Sequence, residues 1–265
     1  MTRSFYSLLV ALLLTAPVVS NAEEVMRYDL NGVSNFAGLF PKTGKGFTNA
    51  KMTYPQNKIQ VVAGSGKTPT SIALSAIKRP SGSSKVSKSS LVHEGFEARQ
   101  GDILKISFRI KINSANADGL YFLDLECSTC WPPIAPVSNQ SPGIRMYLDA
   151  QNGRLAIDRG KIGFRSAPFR STGPRFPVGE WVDVVYKIGL SEKDDGWVQV
   201  KTNKRLLLRA RGSTLPNQVT FAKYGILLAA RKYDYVEVGA TANESKSDQD
   251  VRISNLRIQI AKGAF

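Results

Sequence analysis

Apolar and polar residues alternate with a period of two along much of this chain. Leu104, Ile106, Phe108, Ile110 and Ile112 are apolar, and Lys105, Ser107, Arg109 and Lys111 between them are polar. Successive side chains of an extended chain point to opposite faces, so this segment predicts a strand with one buried face. Related patterns predict strands at 59–63, 71–77, 93–99, 120–126, 144–149, 154–158, 181–188, 197–201, 204–209, 219–228 and 235–239. In the final strand, 251–260, Val251 and Ile253 share a face, but Leu256, Ile258 and Ile260 resume one residue late. A bulge near Ser254-Asn255 restores the inward set. No longer stretch carries a helical period, and turn pairs such as Gly101-Asp102, Asn152-Gly153 and Asp195-Gly196 recur. Many short strands at this spacing predict an all-β sandwich of the jelly-roll kind. Residues 80–90 and 130–143, rich in Ser and Pro, are expected to be mobile loops.

The first residues change the picture of where the protein works. Arg3 precedes an apolar stretch at 8–19, and Ser20-Asn21-Ala22 supplies small residues for cleavage. Residues 1–22 therefore read as a signal peptide, and 23–265 as a single exported domain, periplasmic or secreted. No second long apolar run follows, so no transmembrane segment is expected. With 42% hydrophobic residues the chain can build a large core. Its formal net charge is +15, which points to a polyanionic partner. For an exported protein that partner is an acidic polysaccharide before nucleic acid, since nothing beyond charge recommends the latter.

The only cysteines, Cys127 and Cys130, lie in a Cys-Ser-Thr-Cys segment. In an oxidising compartment they predict a disulfide pinching a loop. No second cysteine pair and a lone histidine, His93, argue against a metal site. No cofactor motif is present, and a structural calcium is not indicated. Gly64-Ser65-Gly66-Lys67-Thr68 has the flavour of a phosphate loop, but Val61 stands where the first glycine belongs, so a β-turn and no nucleotide is expected. Phe122-Leu123-Asp124-Leu125-Glu126 resembles a laminarinase-type signature with Phe122 in place of the nucleophilic Glu, which leaves the carboxylate pair of a retaining hydrolase incomplete.

Three segments carry a broader resemblance. Gly179-Glu180-Trp181-Val182-Asp183-Val184-Val185-Tyr186 and Asp195-Gly196-Trp197-Val198-Gln199-Val200 with Asn203 resemble a strand pair of concanavalin A-like jelly rolls, more narrowly of heparin-lyase-like and glucuronan-lyase-like polysaccharide lyases. Phe221-Ala222-Lys223-Tyr224-Gly225-Ile226-Leu227 is similar to their "Y-F-K-x-G-x-Y" strand, and Glu97-Ala98-Arg99 to their "R-x-E-L-R". The resemblance spans about residues 91–260 and implies a concanavalin A-like jelly-roll sandwich of two antiparallel sheets and β-elimination on a uronate polymer. Aligned with the family's "Q-x-H", Asp124-Leu125-Glu126 puts Glu126 at the histidine position, and Leu227 stands at the terminal tyrosine.

A uronate lyase must neutralise the C6 carboxylate, remove the C5 proton and protonate the leaving oxygen. Arg99 and Arg145 suit the first task, because a guanidinium binds both carboxylate oxygens. Tyr147, His93 or Tyr233 suits the proton transfers. Alternation sends His93, Glu97 and Arg99 to one side, Arg145 and Tyr147 to one side, and Tyr233 with Tyr235. Glu97, Asp124, Glu126, Trp131, Arg165, Lys223 and Arg231 are the expected substrate contacts, and Arg99, Arg145 and Lys223 are expected along one cationic trough on the concave sheet. Residues 159–175 contain Arg159, Lys161, Arg165, Arg170 and Arg175 without an acid, interleaved with Phe164 and Phe169, a pattern suited to sugar or single-stranded nucleic acid. Lys201, Lys204, Arg205, Arg209 and Arg211 form a second basic stretch, expected as a solvated face. A non-catalytic carbohydrate-binding protein on the same scaffold accounts for the same charge, and a glycoside hydrolase using Asp124 and Glu126 accounts for less.

Overall fold

The computed structural model describes residues 22–30, 32–41, 46–130, 142–162, 167–223 and 225–265. The strands in chain order are β1 Glu23–Tyr28, β2 Asn49–Met52, β3 Lys58–Val62, β4 Ser71–Ala76, β5 Ser87–Arg99, β6 Ile103–Ile112, β7 Leu120–Glu126 and β8 Gly143–Leu148. They continue as β9 Leu155–Asp158, β10 Phe169–Arg170, β11 Val182–Gly189, β12 Trp197–Thr202, β13 Arg205–Arg211, β14 Lys232–Asn243 and β15 Gln249–Ala261. All pairings are antiparallel. One sheet has eight strands in the order β13-β12-β11-β6-β15-β4-β3, with β1 also on β15; the other has seven, β10-β9-β8-β7-β14-β5-β2.

The alternation in β6 gives the reason for this stacking. Leu104, Ile106, Phe108, Ile110 and Ile112 are at most 3% exposed and meet Leu91, Leu125, Val236 and Val238 of the other sheet in one core cluster. Each such side chain contributes about 1.5–3 kcal/mol by leaving water. Lys105, Ser107, Arg109 and Lys111 stay on the outer face. The bulge expected in the last strand is present: the β15–β6 register shifts between Ser254 and Arg257, and Asn255 adopts φ +54°. Ser65 and Thr68 close a two-residue turn with reciprocal backbone hydrogen bonds, in place of a phosphate loop.

Several expected elements differ. The strand expected at 219–228 is instead a short helix, α1 Gln218–Ala222, because the Asn217 side chain accepts from the Thr220 amide and caps it. Phe221 then packs with Ile226 and Leu228 against Cys127 and Cys130, which form the expected disulfide. β14 runs far beyond 235–239. The loop expected at 80–90 already enters β5 at Ser87, and β1, β2 and β10 carry too short or irregular an alternation to be read in advance. The leader at 1–21 and most of the 130–143 loop lie outside the described residues. Among the described residues no helix is long and apolar enough to cross a membrane.

Candidate functional site

Residues paired across antiparallel strands share a face, and the seven-stranded sheet uses this to assemble charge on its outer side. One row runs Asp158, Arg145, Asp124, Glu237 and Val92 across β9, β8, β7, β14 and β5. The adjacent row places Glu126 opposite Tyr235, and Tyr235 opposite Glu94. Lys51 from β2 and Lys88 and Ser90 from β5 complete the patch.

Glu237 is the hub. Its side chain is fully buried beneath Lys88 (3.3 Å), Lys51 (3.5 Å), the Ser90 hydroxyl (2.5 Å) and the Tyr235 hydroxyl (2.9 Å), each a donor to it. Burial alone would push its carboxyl up, but Lys88, Lys51 and these hydroxyls together hold it below the usual range. Asp124 is also buried and accepts from Thr241 at 2.9 Å. Burial, with Glu237 and Glu126 nearby, pushes its pKa up to about 6. The two carboxyls divide the work: the one beneath the lysines stays charged, and its neighbour holds a proton more readily. Glu126 pairs with Lys161. The Arg145 guanidinium pairs with Asp158, lies 4.4 Å from the Tyr121 ring centre, and keeps a buried Nε without a hydrogen-bond partner among the described residues. Tyr121 in turn stacks on Tyr147 at 4.7 Å.

Asp124 gives a pH signature with a definite sign. Its folded pKa lies above the ordinary value of 3.8, so the folded chain holds the proton more tightly than the unfolded one. The stability this contributes is complete at low pH and is lost as pH rises from about 4 to about 6, by up to about 3 kcal/mol. Asp124→Asn is expected to lack that decline, so the difference between the parent and variant stability–pH curves, measured by urea unfolding, falls by this amount across the window. A parallel pair of curves across this window removes the assignment.

The expected site residues fall into four places. Arg145, Tyr147, Asp124 and Glu126 are brought together in the patch. Glu97, Arg99 and Arg231 lie at the far end of the sheet, around a groove of about 490 Å³ shared with Glu192 and Lys232. There Glu97 accepts from Arg99 (2.5 Å) and Lys232 (2.6 Å), and Arg231 pairs with Glu192. Lys223 caps α1 and so does not lie on a strand of the sheet. The single cationic trough of Arg99, Arg145 and Lys223 is therefore not formed. Trp131 and Arg165 lie outside the described residues.

His93 and Tyr233 face the other way. The register between β5 and β14 shifts between Tyr233 and Tyr235, at Gly95 with φ +97°, and this bulge resets the parity on both strands. His93 turns inward with Leu91, its Nδ1 2.7 Å from the Gly46 carbonyl oxygen and its ring on Phe96. Burial lowers its pKa, which favours the neutral ring. Glu97 and Arg99 turn outward. Tyr233 is fully buried and its hydroxyl donates to the Thr214 carbonyl at 2.6 Å, whereas Tyr235 faces Glu237. A second bulge, in β7 between Tyr121 and Leu123, sends Phe122 into the core against Phe176 rather than beside Asp124. Tyr233→Phe is expected to leave any turnover unchanged and to cost about 1–2 kcal/mol, read as a fall in Tm of a few degrees, because the Thr214 carbonyl loses a buried donor. A fall in turnover without a fall in Tm would return Tyr233 to the reaction.

The sequence offered signals for what was missed. Tyr235, Glu237 and Gly239 repeat the aromatic–charge–glycine spacing of Phe221, Lys223 and Gly225, and do so on a true strand. Lys51 and Lys88 gave none, since each lies in a short polar segment.

No protein-family model and no curated protein matches the sequence. Among solved structures the fold superposes on an endo-β-1,4-glucuronan lyase from the fungus Trichoderma reesei with TM-score 0.60, at 11% identity over 80% of this chain and 90% of that one. It also superposes on the cellulose induced protein Cip1, TM-score 0.50 at 13% identity over 79% and 90% of the two chains. For the alginate lyase Aly36B the TM-score is 0.50 at 11% identity over 88% and 95%. The chain thus has an all-β jelly-roll fold of two antiparallel sheets, similar to the folds of that glucuronan lyase and that alginate lyase.

Proposed function

We propose that this protein is an exported lyase that cleaves a uronate-containing polysaccharide by β-elimination on the outer face of its seven-stranded sheet. The observation that carries this is the row Asp158–Arg145–Asp124–Glu237, beside the Tyr121–Tyr147 stack and the Tyr235–Glu237 hydrogen bond, in a fold shared with glucuronan and alginate lyases.

The division of labour follows from the chemistry of each group. Arg145 stays charged, because Asp124 and Asp158 outweigh the effect of burial, and its fork suits the C6 carboxylate. Asp124, whose raised pKa lets it take up a proton as the substrate carboxylate approaches, then becomes a second donor to that carboxylate, which lowers the cost of developing negative charge at C5. Tyr235 accepts the C5 proton on its oxygen as it passes its own to Glu237. Tyr147, whose pKa burial raises, keeps a proton to give to the leaving oxygen. No bond to the protein is formed, and the product carries a C4–C5 double bond.

The double bond supplies the test. The purified mature chain is incubated with glucuronan, alginate, hyaluronan and heparin while near-ultraviolet absorbance is followed, and a rise is expected with at least one of them. A non-catalytic glycan-binding protein is the second reading. The pairing of Lys51, Lys88, Lys161 and Arg145 with protein carboxylates favours it, since the patch already balances its own charge. Salt-sensitive binding without any absorbance change would decide for it.

A further inference from the structure

On the opposite side of the molecule, the outer face of the eight-stranded sheet pairs Arg109, Arg252 and Arg257 with carboxylates but leaves other cations without such a partner among the described residues. On the outer face of the eight-stranded sheet, Arg209 of β13 stands opposite Gln199 of β12, Gln199 opposite Lys187 of β11, Lys187 opposite Lys105 of β6, and Lys105 opposite Gln259 of β15. Adjacent strands lie about 4.8 Å apart, so these five residues form a row about 19 Å long. Among the described residues no carboxylate lies within ion-pair distance of Lys105, Lys187 or Arg209. The crowding is felt: burial first, then Lys187 and Arg257, lowers the Lys105 pKa.

Beside the row, two residues along β12 from Gln199, lies an aromatic platform. Trp197 pairs with Gly189 on one side and Arg211 on the other. A Cβ on Gly189 would come within 2.3 Å of the Trp197 Nε1, so the indole lies across the glycine backbone in the space that any larger residue would fill. Trp197, Gln199, Arg209 and Arg211 line a groove of about 610 Å³.

We infer that this row and the Trp197 platform are a second binding site, separate from the Arg145 patch, for an extended uronate polysaccharide. The row interleaves three cations with two amides, and a uronate polymer offers carboxylates and hydroxyls to both. The indole lying along the sheet suits the apolar face of a pyranose. The row presents no apolar side chain standing out from the sheet, as insertion into a membrane would need. The ligand class rests on the function proposed above; the location of the site does not. Such a site would hold the polymer on the protein between turnovers at the opposite face.

The test is equilibrium titration of the full chain with polyglucuronate, for the parent, the triple variant Lys105→Gln/Lys187→Gln/Arg209→Gln, and Trp197→Ala. All four positions are on the outer face, and thermal melts confirm that each variant folds. The triple variant is expected to lose about tenfold in affinity and much of the salt dependence. Trp197→Ala is expected to lose affinity with the salt dependence retained. Arg145→Ala is expected to keep this binding. Unchanged affinity in the triple variant overturns the inference, as does tighter binding of duplex DNA or of phosphatidylglycerol vesicles through the same residues. If no polymer yields an absorbing product but binding still depends on the row, the second site stands and the lyase assignment falls.

Discussion

Arg145→Ala is expected to lower turnover of a uronate polymer by about a hundredfold or more, the scale on which loss of one donor to a developing anion is felt. β-Elimination puts negative charge on C5 and spreads it into the C6 carboxylate, so the group that neutralises that carboxylate acts mainly in the transition state. Arg145 is placed for this. Asp158 and the Tyr121 ring fix its guanidinium from two sides, and its buried Nε has no hydrogen-bond partner among the described residues. Arg145→Lys keeps a positive charge beside Asp124 and Asp158 but loses the planar fork, so an intermediate rate is expected. The rates are read from the absorbance assay, with melting curves to establish that both variants remain folded at the assay temperature. Turnover in Arg145→Ala within twofold of the parent would remove Arg145 from the reaction.

Glu237→Ala is expected to destabilise the fold by about 3 kcal/mol, near the lower end of what breaking a buried ion pair costs. Its carboxylate is the acceptor for Ser90 and Tyr235 and the counter-charge for Lys88 and Lys51. Truncation leaves two buried hydroxyls without an acceptor and two cations facing an apolar hole. The lysines are 25% and 39% exposed and can turn toward water, which keeps the loss from the top of the range. Glu237→Gln retains the shape and one acceptor oxygen and is expected to lose less. Urea unfolding at neutral pH measures both. Equal stability of the parent and Glu237→Ala would mean that the cluster is not coupled to folding.

Much of the architecture could be read directly. The alternation in β6 predicts a half-buried strand because side-chain direction in an extended segment is a local property, and the late parity in β15 predicts its bulge for the same reason. The Cys127–Cys130 bridge follows from two cysteines three residues apart. Helix α1 was not legible: Val219 and Phe221 mimic a strand, while the deciding contact is the cap from Asn217.

The charged patch is where local pattern stops being sufficient. Each bulge resets parity, so His93 and Tyr233 turned inward, Glu97 and Tyr235 outward, and Phe122 away from Asp124. Whether a strand is bulged depends on its partners, which lie elsewhere in the chain. Lys51 and Glu237 are 186 positions apart and meet only because β2 and β14 both pair with β5. Alternation along the chain thus determined which residues build the sheets and the core. Long-range strand pairing alone decided which charges became neighbours, because adjacency across a sheet is set by register.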